Sequence, residues 1–211
     1  MNSQAIQVML MLVIAYLLGS IPSGVWIGKA FFHIDIRQHG SGNIGTTNTY
    51  RVLGPTAGTI VMAMDISKGA LATLLPVFFG NDTINALVFG LAAILGHTFS
   101  IFDHFKGGKA VATSAGMILA YQPIFFLIAA GIWILVILLT SMVSLASMVA
   151  FTLTTITTFF ANDLFLSILA IALTVFIFYR HRANINRILH GNERMVPFGL
   201  GNYLRRKKQF N

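Results

Sequence analysis

A chain of 211 residues that is 56% hydrophobic and only 9% charged is too apolar for an ordinary soluble domain, and it reads as one compact polytopic membrane domain. Its formal charge of +8 does not mark nucleic-acid binding, because the basic residues flank apolar spans or sit beside glycines instead of forming a continuous stripe. Zero cysteines exclude disulfides, thiolate catalysis and thiolate-held metals.

A membrane helix needs about 20 mostly apolar residues. In chain order the first candidate is Ala5 to Ile27, an uncharged segment whose Gly19-Ser20-Ile21-Pro22-Ser23-Gly24 stretch loosens its second half. No Lys or Arg precedes it and no A-x-A pattern follows it, so it is expected to be an uncleaved span. The second, Pro55 to Phe79, carries Asp65 and Lys68 three positions apart on one helix face, where mutual pairing is expected. The third is Thr83 to Ile101. The fourth, Ala110 to Ala120, is too short to cross unaided. The fifth, sixth and seventh are Pro123 to Leu139, Met142 to Phe160 and Leu164 to Tyr179. These predict an all-α protein with seven transmembrane helices, in a single domain over residues 1–195, followed by a basic tail over 196–211.

Lys and Arg set the orientation. They concentrate in islands at Lys29 to Gly54, His97 to Lys109, and Arg180 onward, with Lys68 the exception. The linkers Gly80 to Thr83, Tyr121 to Pro123 and Ala161 to Asp163 have none. Basic short loops stay inside, so the islands and the C-terminus are expected on the cytoplasmic side of the membrane and the N-terminus outside.

The islands also carry the candidate chemistry. Gly40-Ser41-Gly42-Asn43-Ile44-Gly45-Thr46-Thr47-Asn48 combines glycines, hydroxyls and amides ahead of a helix start, which suits a phosphate, and Arg51 offers a bidentate fork. A flexible loop whose Arg only marks the inner face is the alternative. Phe105-Lys106-Gly107-Gly108-Lys109 is not a Walker A loop, since Ala110 occupies the Ser/Thr position, yet its lysines flank a glycine turn at a helix start. In the third island His181 and Asn184 share a face if the segment is helical, and a stop-transfer cluster is the competing reading. His97 has no carboxylate at an obvious spacing and reads as a packing or hydrogen-bonding group. Taken together, the glycine nests, hydroxyls, amides and cations are expected to converge on one face as a pocket for one or two phosphates. No H-E-x-x-H and no carboxylate cluster occurs, so neither a cofactor nor a resident metal is expected, though a divalent ion accompanying a phosphate substrate is compatible.

At these residues the sequence resembles the bacterial acyl-phosphate:glycerol-3-phosphate acyltransferases, the PlsY family. The resemblance runs from about Ala15 to Glu193. It takes in Gly19 to Gly24, Asp35-Ile36-Arg37, the Gly40 to Asn48 loop with Arg51, Asp65 to Gly69, Gly96-His97, Phe105 to Thr113, Val143 to Ser147, and Arg180 to Ile185 with Gly191 and Glu193. It implies an inner-membrane enzyme that moves a fatty acyl group from acyl phosphate to glycerol 3-phosphate, giving 1-acyl-sn-glycerol 3-phosphate (lysophosphatidate) and phosphate, with no acyl-CoA or carrier-protein donor. By motif match it points to Ser41, Arg51, Lys106, Gly107, Gly108, Lys109, His181, Asn184 and Glu193, with Ser144 a further substrate contact. On this reading Ser41, Arg51, Lys109, His181 and Asn184 act in catalysis. Gly40, Gly42, Asn43, Asn48, Lys106, Gly107, Gly108 and Ser144 bind substrate, and Glu193, Asp65 and Lys68 are structural. The partners expected are the two substrates and the bilayer, with the protein a monomer. The sequence departs from the family pattern at Ile44, Thr46, Ala110, Asp103-His104 and Ser141-Met142, where the family usually has Pro, Ala, Gly, apolar residues and a basic-aromatic pair. A small carrier for a phosphorylated solute is the rival class, but the cations lie to one side of the spans and no paired repeat appears.

Overall fold

The computed structural model of the chain describes residues 3–210, and among these all regular structure is helical. It divides into two compact units, Met1–Pro123 and Ile124–Asn211.

In the first unit α1 (Ser3–Ser20) stops before Pro22 and α2 (Ser23–Phe32) starts after it, so the expected Ala5 to Ile27 span is two helices. Pro22 has no N–H to give, and its ring is incompatible with a continuous helix, which explains the break. A short 3-10 turn at Ile36–Gln38 follows, started by the Asp35 side chain accepting from Arg37 N at 3.1 Å. Next comes α3 (Thr46–Thr73), bent at Gly54, whose φ of 87° and ψ of −178° only glycine adopts readily, with Pro55 following. Then come α4 (Leu75–Phe79), α5 (Ala86–Thr98) and α6 (Val111–Tyr121). At 11 residues α6 is about 16 Å long against a hydrocarbon core of about 30 Å.

Small residues bring these helices together, as expected where lipid removes the hydrophobic drive for association. Gly69 of α3 lies against the Thr113 carbonyl of α6, and Gly116 of α6 against the Ile66 carbonyl of α3; a Cβ at either would strike backbone. Val8, Met11, Ala15, Ala72, Leu75, Phe89 and Ala93 form a core shared by α1, α3, α4 and α5.

The second unit holds α7 (Pro123–Thr140), α8 (Val143–Thr158), α9 (Leu164–Arg180), α10 (Arg182–Leu189) and α11 (Leu200–Phe210). Helices α8 and α9 are joined by a Thr155–Thr174 hydroxyl pair at 2.8 Å and by Ser167 Oγ donating to Thr158 O at 3.1 Å. The chain turns by 61° between α9 and α10. Of the tail expected over 196–211, Leu200–Phe210 is a helix, residues 196–199 are irregular, and Asn211 lies outside the described residues. That helix is fastened to the α7–α8 turn: Ser141 Oγ donates to Phe198 O at 2.7 Å and accepts from Asn202 N at 2.9 Å.

By length and composition the stretches Ser3–Ser20, Ala86–Asp103 and Pro123–Thr140 suffice to cross a membrane, and α9 with α10 makes a fourth if that bent pair is one span. The apolar α6 and α8 are shorter.

Candidate functional site: two buried carboxylates and their loops

The first island folds on its own amides. Gly40 and Gly42 take φ of 61° and 71°, which turns the loop back so that Ser41 N donates to Asn48 Oδ1 at 2.7 Å. Asn48 is 1% exposed, and its Nδ2 donates to Ile36 O at 2.9 Å and His39 O at 3.1 Å. Asn48, expected to bind substrate, is thus the internal clamp of the loop. Asn43 Oδ1 accepts from Gly45 N at 2.9 Å, just before α3 begins. Ser41 is exposed, and so is Arg51 within the first turns of α3.

Asp65 lies beneath this loop. Its Oδ1 meets Lys68 Nζ at 2.8 Å and accepts from Ser23 Oγ at 3.0 Å, while its Oδ2 accepts from Thr46 Oγ1 at 3.3 Å. Lys68 Nζ also donates to Ile21 O at 3.0 Å, beside the Pro22 break. Unpaired, each charge would cost roughly 2.5–3.5 kcal/mol at mid-bilayer, so the pair and its surrounding donors are what make burial tolerable. His97 Nδ1 stands 3.9 Å from Asp65 Oδ1, within ion-pair range when the ring is protonated. No carboxylate stands at an obvious sequence spacing from His97, and Asp65 reaches it from another helix, which spacing along one helix does not reveal.

His97 in turn shapes the second island. Gly108 N donates to His97 O at 3.0 Å, Gly107 is pressed against the His97 and Thr98 carbonyls, and Gly108 lies on the His97 ring. A Cβ at either glycine has no room. Lys106 is exposed and Lys109 is half-buried. Ala110, where the family usually has Gly, is in the left-handed region at φ 58° immediately before α6.

A second link joins the two islands nearer the surface. Arg37 donates from Nε to Asp35 Oδ1 at 2.8 Å and from a terminal nitrogen to buried Asp103. The Arg37 guanidinium holds the Asp35 carboxyl well below the usual carboxylate range, and Asp35 in turn raises the Arg37 pKa. Within this unit the structure therefore brings together Gly40 to Asn48, Asp65, Lys68 and the Gly107–Gly108 turn. Ser23, Arg37, His97 and Asp103, which sequence reasoning did not assign to the site, are the residues that join them. All but Ser23 are polar side chains in or beside the basic islands, and that was the available signal.

In the second unit Glu193, 4% exposed, is the gathering point. Its Oε1 accepts from Ser144 Oγ at 2.8 Å and Asn184 Nδ2 at 2.7 Å, and its Oε2 from Arg187 Nε at 2.8 Å. Ser144, expected as a substrate contact, spends its donor on Glu193. Arg205 of α11 donates to Glu193 O at 3.2 Å and Gly191 O at 3.3 Å. His181 is buried at the α9–α10 corner with Nδ1 2.9 Å from Ile177 O. A carbonyl only accepts, so Nδ1 carries the proton and Nε2 of the neutral ring is the acceptor. Among the described residues no three His, Asp or Glu side chains gather as a metal site.

Comparison with known proteins identifies the family. The glycerol-3-phosphate acyltransferase family model matches residues 9–191. A glycerol-3-phosphate acyltransferase from Levilactobacillus brevis is 65% identical, covering 94% of this chain and 98% of that relative. The crystal structure of PlsY, an integral membrane glycerol 3-phosphate acyltransferase, in its glycerol 3-phosphate form superposes with a TM-score of 0.83 at 39% identity, over 89% of this chain and 94% of that one. Its lysophosphatidic acid form gives 0.80 at 38% identity, with the same coverage of both chains. The chain is an all-helical integral membrane protein and belongs to the glycerol-3-phosphate acyltransferase family.

Proposed function

We propose that this protein transfers a fatty acyl group from acyl phosphate to glycerol 3-phosphate at the cytoplasmic face of a bacterial inner membrane. The observation that carries the reading is the likeness to PlsY in glycerol 3-phosphate and lysophosphatidic acid forms, the acceptor and the product of such a transfer. In the step, the C1 hydroxyl oxygen of glycerol 3-phosphate attacks the acyl carbonyl carbon. The bond from that carbon to the phosphate oxygen breaks, inorganic phosphate leaves, and the hydroxyl proton passes to a phosphate oxygen. Acyl phosphate is already activated, so the protein must chiefly hold two anions together and neutralise the departing charge.

Arg51, Lys106 and Lys109, with the backbone N–H groups of Gly40, Gly42, Gly107 and Gly108, bind phosphate oxygens on this reading. Ser41 and Asn43 orient the glycerol. Ser144 and Glu193 hold Asn184, and Asp65 and Lys68 hold the loops, which revises Ser144 and Asn48 from binding to supporting roles. On this reading the chain has seven spans with its N-terminus outside, supported by the placement of Lys and Arg, and acts as a monomer.

The test supplies purified, lipid-containing protein with labelled glycerol 3-phosphate and, in parallel, acyl phosphate or acyl-CoA. Lysophosphatidate forming from acyl phosphate alone is expected. Product from acyl-CoA alone would overturn the donor assignment, and no product from an intact preparation would overturn the reading.

A further inference from the structure

We propose that the Asp65 carboxylate is a positioning residue for acyl transfer, setting the spacing between the Gly40–Gly45 loop and the Gly107–Gly108 turn; the proposal rests on reading those loops as phosphate holders. Neutralising Lys68 would require one contact, yet Asp65 also has neighbours on two further helices and at the far N-terminal end of its own, beyond the Gly54 bend. Ser23 opens α2, Thr46 opens α3 one residue after the glycine loop, and His97 ends α5 underneath Gly108. The two hydroxyls donate at 3.0 and 3.3 Å, while His97 Nδ1 stands 3.9 Å from the carboxylate, an ion pair when the ring is protonated, and the His97 carbonyl takes Gly108 N at 3.0 Å. A buried apolar pair would serve the fold at least as well as an ion pair. What Leu and Met cannot do is hold a hydroxyl at the start of α3 and a histidine under the glycine turn through one atom group.

The decisive variant is Asp65→Leu with Lys68→Met, which removes both charges together and leaves neither unpaired. Thr47→Cys and Lys106→Cys, both at exposed positions of a chain without native cysteine, carry spin labels that read the loop spacing independently of turnover. The expected result is a folded protein whose interspin distance distribution broadens and, without the labels, whose KM for glycerol 3-phosphate rises about tenfold or more, since small misplacements of reactants are costly. Asp65→Asn with Lys68→Met keeps an oxygen to accept from Ser23 Oγ and sets an amide NH2 opposite Thr46 Oγ1, whose hydroxyl oxygen can accept from it, and is expected to recover most of both readouts. An unchanged distance distribution, or an unchanged KM, in the Leu/Met protein would overturn the proposal. Should that protein not fold, Ser23→Ala with Thr46→Val cuts two tethers while leaving the ion pair, and the same outcomes decide. If the unaltered enzyme makes no lysophosphatidate, the functional reading fails, and the spin distances alone decide the positioning role.

Discussion

Asp65 and Glu193 are both buried carboxylates that gather hydroxyl and cationic partners, yet they are built differently. Asp65 pairs with Lys68 one helical turn away, and both side chains are 5% exposed or less. Glu193 pairs with Arg187 across a helix end, and the Arg187 side chain is 36% exposed. The first is a sealed ion pair, in which each member is the other's nearest opposite charge, at 2.8 Å. The second leaves its cation free to reach water or lipid heads, so losing the carboxylate strands no charge.

The sharpest way to break this comparison is to remove each carboxylate alone. Asp65→Ala leaves a buried ammonium and is expected to destabilise the protein by about 3–5 kcal/mol. Glu193→Ala is expected to cost about 1–3 kcal/mol, the penalty of leaving the Ser144 and Asn184 donors unsatisfied. Thermal unfolding in detergent measures both, and equal losses would remove the distinction. Glu193→Gln keeps an acceptor for Ser144 and Asn184 and is expected to lose about 1 kcal/mol or less, since Arg187 is half in solvent.

Much of the first site was legible in the sequence. Asp65 and Lys68 share a face by spacing, and the loosening at Gly19 to Gly24 follows from its residue types, whereas the run of the second helix back through Gly54 to Thr46 was not read. The roles of Asn48 and Ser144 were not legible. An amide or hydroxyl that binds a ligand and one that clamps its own loop have the same composition, and only the paths to Ile36, His39 and Glu193 separate them. His97 escaped for a related reason, since its carboxylate neighbour comes from another helix. The C-terminal helix was hidden because its anchor, Ser141, lies far upstream.

Smaller effects sharpen the account of the first unit. Ala110→Gly relieves a left-handed backbone at φ 58° and is expected to stabilise the protein by about 1 kcal/mol, read as a raised midpoint in thermal unfolding. The Asp35–Arg37 pair gives the smallest change. Because Arg37 lowers the folded-state pKa of Asp35, its contribution is present above the unfolded value of about 4 and is lost as pH falls below it. The stability gap between the native protein and Asp35→Asn is therefore expected to stay constant above about pH 5 and to close in more acid solution.

The central claim is that the two basic glycine loops of the first unit hold phosphate for acyl transfer. Steady-state lysophosphatidate formation by Arg51→Ala and Lys109→Ala, each with its unfolding midpoint preserved, tests it most directly. Losing a charged hydrogen bond to phosphate is worth about 1.5–3 kcal/mol, so kcat/KM is expected to fall roughly 10- to 150-fold in each. Native kcat/KM in both proteins would contradict the account.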